Sequence, residues 1–88
     1  MEITLADVSR VFQKVLDGNL TREAADRWAY DVVRKSELGS LAFIPSEDEQ
    51  KIWSGVMYLY GIDSKESPDE YLHSLDDIRE AMKIKLGC

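Results

Sequence analysis

Four times along this chain apolar residues recur at steps of three and four, and the stretch opens each time near a side chain able to cap a helix. Leu5, Val8, Phe12, Val15 and Leu16 make one stripe, and Ala24, Ala25, Trp28, Ala29, Val32 and Val33 a second. Ile52, Trp53, Val56, Met57, Leu59 and Tyr60 give a third, and Leu75, Ile78, Met82 and Leu86 a fourth. A helix turning about 100° per residue gathers such positions onto one face, which must then be buried. A Ser or Thr followed three residues later by an acid marks a capping box, in which each side chain satisfies a backbone N–H of the first turn. Thr4/Asp7, Ser46/Glu49, Ser67/Glu70 and Ser74/Asp77 all fit, and Thr21 caps alone with Glu23 in the first turn. Gly18 and Gly61 stand where helices end on a left-handed residue. The pattern predicts helices over 5–17, 22–35, 47–60 and 75–86.

No sustained period-two alternation supports a sheet. Leu41 to Ile44 is one short apolar run before Pro45, read as a loop tucked against the core. With 88 residues the chain is one domain over 1–88. The expected fold is all-α, a compact four-helix bundle with or without a fifth short helical turn near 68–72. Its core is expected around Phe12, Trp28, Trp53 and Ile78.

Chemistry is sparse. His73 and Cys88 are the single His and the single Cys, too few ligands for a zinc site. An EF-hand register from Asp63 puts Pro68 where glycine is required. There is no phosphate-binding glycine loop and no nucleophile elbow. Asp76 and Asp77 have a sufficient explanation at a helix start. The chain is therefore read as non-enzymatic and without a cofactor, with no role assigned to His73 or Cys88. No apolar run is long enough to cross a membrane and the N-terminus lacks the order of a signal peptide, so a cytoplasmic protein without a membrane partner is expected.

Charge carries the functional reading. The net charge is −6, and residues 46–80 hold ten acids against Lys51, Lys65 and Arg79, a local −7. Nucleic acid is disfavoured as a partner because phosphates need a basic stripe. Glu47, Asp48, Glu66, Asp69, Glu70, Asp76 and Asp77 are expected to form an acidic protein-binding face, with Tyr58 exposed among them as an anchor.

Leu20 to Ala29, then Trp53 with Leu59-Tyr60-Gly61-Ile62-Asp63, then Tyr71-Leu72-His73 and Asp77-Ile78 resemble a family of small bacterial helical proteins of unknown function, over roughly residues 20–80. Gly55 departs from that pattern, where a bulkier residue is expected. In size, acidity and helix count the chain is also similar to bacterial immunity proteins. That likeness implies a protein-binding inhibitor of a basic toxin, and the alternative is a structural or regulatory subunit that self-associates through Leu38 to Ile44.

Overall fold

The computed structural model describes residues 1–68 and 70–87, and the backbone alone of Glu66. The expectations placed on Asp69, Cys88 and the Glu66 side chain lie outside the described residues. The order is β1 (Glu2–Thr4), α1 (Leu5–Leu16), α2 (Arg22–Glu37), β2 (Ala42–Ile44), a 3-10 turn (Ser46–Asp48), α3 (Glu49–Leu59), β3 (Lys65–Ser67), β4 (Glu70–Tyr71) and α4 (Leu75–Leu86).

Two of the four capping boxes close. The Thr4 hydroxyl accepts from the Asp7 N–H at 3.1 Å and the Asp7 carboxylate from the Thr4 N–H at 3.0 Å. Ser74 and Asp77 repeat the exchange at 3.1 and 3.2 Å. Thr4 is extended, with φ −116° and ψ 163°, so one residue ends β1 and caps α1. Ser46 instead opens the 3-10 turn, and α3 begins at Glu49 without a side-chain cap. At the far end of α1, Gly18 (φ 77°) turns the chain left-handed; its N–H reaches Val15 O at 3.2 Å and that of Asn19 reaches Lys14 O at 2.9 Å. This pair of bonds satisfies carbonyls that the last turn would leave open.

The expected all-α bundle is corrected to a mixed class, in which four helices are joined by two short strand pairs among the described residues. β1 and β2 pair in parallel, with Glu2 opposite Ala42, Ile3 opposite Phe43 and Thr4 opposite Ile44. The run 41–44 is thus mostly strand, and its partner is the N-terminal segment on the other side of two helices. The expected turn near 68–72 is corrected as well: β3 and β4 run antiparallel, with Lys65 opposite Tyr71 and Ser67 opposite Glu70. Ser67 and Glu70 face each other across strands there and do not cap a helix.

The helices and the buried strand residue Ile3 enclose one core. Ile3, Val8, Phe12, Ile52, Val56, Leu59, Ile62 and Ile78 are all 0% exposed. Neither tryptophan is in its centre. Trp28 packs on the rim, and half-buried Trp53 meets Phe43 edge-on at 6.0 Å. Gly55 of α3 is buried and faces both α1 and α4.

Candidate functional site

α1 and α2 form a hairpin whose outer side carries much of the chain's positive charge. Ala25 and Ala29 are fully buried under α2, and such small side chains let its backbone lie close to the core. The opposite arc points outward. Arg27, Arg34 and Lys35 fall within about 100° of one another at 100° per residue, and all three are exposed. From α1, exposed Arg10 and Lys14 stand one turn apart on the adjoining face. Five of the eleven basic residues therefore share this side of the molecule.

Between the two helices runs a groove of about 640 Å³. Val11, Leu20, Ala24 and Trp28 give it an apolar lining, and Arg10, Lys14 and Arg27 stand along it with Asp7 and Asp31. Arg10 meets Asp7 at 3.4 Å, with both side chains well exposed. Water screens such an exposed i,i+3 pair, so it competes weakly with another anion. Lys14, Arg27, Arg34 and Lys35 make no ion pair among the described residues. The arrangement can hold phosphates or carboxylates along its walls and a flat apolar group near Trp28.

A second cluster joins α2 to the β3–β4 hairpin. The Arg22 guanidinium lies 4.3 Å from the centre of the Tyr71 ring and donates to His73 O at 3.2 Å. The Tyr71 hydroxyl donates to Glu23 at 2.7 Å. This bond lowers the Glu23 pKa and raises that of Tyr71. Arg22 is thus committed to holding the hairpin. A second hollow, of about 470 Å³ beside Phe43 and Trp53, has Ser36, Glu49, Gln50 and Ser54 around it and no cation.

Of the residues expected to form an acidic face, those that are described are not all brought together. Glu47 and Asp48 precede α3 while Glu70 follows it, and a helix of 11 residues spans roughly 16 Å. Asp77 is used in its capping box and Asp76 meets Arg79 at 3.0 Å. Tyr58 is half-buried, stacked on Phe12 at 5.7 Å and against His73 at 4.9 Å. Burial foremost, and then the Asp77 charge, push its pKa up. It is a packing residue at this position, not an exposed anchor. The basic face escaped the sequence reading because a net charge averages over opposite sides of the molecule. The signal was present in the helical spacing of Arg10 with Lys14 and of Arg27 with Arg34 and Lys35.

A family model described as "YxzC DNA-binding protein" matches residues 2–84. A protein of Bacillus subtilis (strain 168), described as "Uncharacterized protein YxzC", is 32% identical over 82 residues, covering 93% of this chain and 62% of its own length. The chain thus spans less than two thirds of that relative. No solved structure matches. The likeness to a small bacterial family stands in these matches. The likeness to immunity proteins does not, and with it go the toxin-inhibitor and basic-protein-partner readings. A family named for DNA binding equally overturns the expectation of no nucleic acid, and lends nothing to the self-associating subunit.

Proposed function

The chain belongs to the YxzC family, and from that premise we propose that it binds DNA through the basic side of α1 and α2. The observation that carries the reading is the co-location of Arg10, Lys14, Arg27, Arg34 and Lys35 on exposed positions of two adjacent helices. Asp7 and Asp31 stand beside these cations, while the −7 of residues 46–80 lies on other elements and opposes phosphate binding only at long range. The molecule measures 38 × 26 × 20 Å, against a screening length of about 8 Å at physiological salt. Acids on α3, the hairpin and the start of α4 act weakly across that distance, and they orient the basic side toward a polyanion as it approaches. The role is one of binding without catalysis, and it is cytoplasmic, where bacterial DNA lies.

The test is charge reversal on each side. Replacing Arg27, Arg34 and Lys35 by Glu is expected to abolish retention of a fluorescent DNA fragment in an anisotropy titration. Reversing Glu47, Asp48 and Glu70 to Lys leaves retention intact or strengthens it. Equal binding by the wild type and the Arg27/Arg34/Lys35 triple variant removes the reading.

A further inference from the structure

We propose that the groove between α1 and α2 receives single-stranded DNA, with an unstacked base laid against Trp28 and its flanking phosphates held by Arg10, Lys14 and Arg27. The inference rests on the DNA-binding reading and names the form of DNA. The rim cations alone do not distinguish one strand from two, since any phosphate backbone satisfies them. The groove floor does. Trp28 is partly buried, packed against the core and lining the groove with Leu20 and Ala24. Its indole N–H makes no hydrogen bond among the described residues, yet it is not among the polar atoms sealed from solvent without a partner. An aromatic side chain thus lies between two walls that carry Arg10, Lys14 and Arg27 alongside Asp7 and Asp31.

Duplex DNA keeps its bases stacked inside and offers a phosphate surface to such a walled hollow. A single strand turns its bases outward freely, and stacking on an aromatic ring tolerates every base because each has a π face. The volume of about 640 Å³ accommodates a flat base with room beside it. By contrast, the hollow beside Trp53 also offers an aromatic ring, but no cation lines it, so it lacks the means to hold the phosphates on either side of a base.

The experiment compares three probes on the unmodified chain by fluorescence anisotropy at low salt. They are oligothymidylate of about 20 nucleotides, longer than the roughly 4–16 nucleotides that small single-strand binders cover, the same strand carrying abasic positions, and a duplex of equal length. Oligothymidylate is expected to bind at least about tenfold tighter than the duplex, and abasic substitution to weaken it roughly 5- to 150-fold, the loss of one stacked base. A Trp53→Phe variant leaves Trp28 as the sole tryptophan, and its emission is expected to be quenched by oligothymidylate. A duplex that binds as tightly as the single strand overturns the inference while leaving DNA binding in place, and so does an abasic strand that binds as well as the intact one. Binding of no probe overturns both.

Discussion

Gly55 in α3 and Val8 in α1 approach so closely that a β-carbon on Gly55 would stand 2.7 Å from Val8 Cγ1, with Leu86 Cδ2 from α4 at 2.8 Å. Three helices converge on a position where only hydrogen fits. Replacing Gly by Ala inside a helix ordinarily gains about 1 kcal/mol of propensity. Here the methyl meets Val8, a β-branched side chain with little rotamer freedom, and overpacking of this kind costs about 1–3 kcal/mol. Gly55→Ala is therefore expected to destabilise by up to about 2 kcal/mol, which lowers Tm by up to roughly 16 °C in a domain this small. A thermal melt at or above the wild-type midpoint shows that Val8 and Leu86 move aside without strain, and ends the account.

Aromatic burial separates Phe12 from Trp53. Phe12 is 0% exposed at the centre of the core, so Phe12→Ala should cost about 3–5 kcal/mol through lost transfer energy and the cavity left behind. Trp53 is half-buried at the edge, and its ring contact is the edge-on one with Phe43. Trp53→Ala is expected to cost less, about 1–3 kcal/mol, since the ring is partly exposed and lies off the central cluster. Urea unfolding of both variants checks the order, and Trp53→Ala as damaging as Phe12→Ala contradicts it.

The Tyr71–Glu23 hydrogen bond of 2.7 Å gives a pH dependence of known sign. Glu23 is lowered first by this bond, so its contribution is present above the ordinary carboxylate range and disappears as pH falls through the lowered folded-state value. Tyr71 is raised first by the same bond, so its contribution is complete below the ordinary tyrosine range and disappears as pH rises through the raised one. The stability gap between wild type and Tyr71→Phe is thus widest near neutral pH and narrows at both extremes. An NMR titration should show the Glu23 carboxyl moving up toward its ordinary value in Tyr71→Phe. Identical Glu23 titrations in the two proteins would exclude the bond as the cause.

Helices were legible where an apolar stripe and a cap agreed. Thr4 and Ser74 each precede such a stripe, and both boxes close as expected. Ser67 and Glu70 have the same spacing, but Pro68 to Leu72 offers no apolar face for a helix to bury, and the two residues pair across strands. The β1–β2 pair was not legible because its register joins Ile3 to Phe43 over two intervening helices, and three-residue strands leave too short a pattern to read. The charge distribution was legible in composition and misread in space. Seven acids and six bases over residues 1–45 look neutral, yet the fold puts five of those bases on one side of α1 and α2.

Salt dependence tests that side quantitatively. Each phosphate neutralised releases condensed counterions, so log K falls against log salt with a slope of about −0.9 per contact on duplex and about −0.7 on single strands. If Arg10, Lys14, Arg27, Arg34 and Lys35 all engage, the slope on a single strand is about −3.5. Lys35→Ala should then reduce it by about 0.7, because Lys35 is exposed and makes no ion pair among the described residues. Arg22→Ala acts differently. Arg22 is held by the Tyr71 ring and by His73 O, so its loss should lower Tm through the hairpin while the slope of the remaining folded protein is unchanged. A slope that shifts with Arg22→Ala and ignores Lys35→Ala would put the phosphate contacts on the hairpin side of α2, and the basic face of α1 and α2 would no longer account for binding.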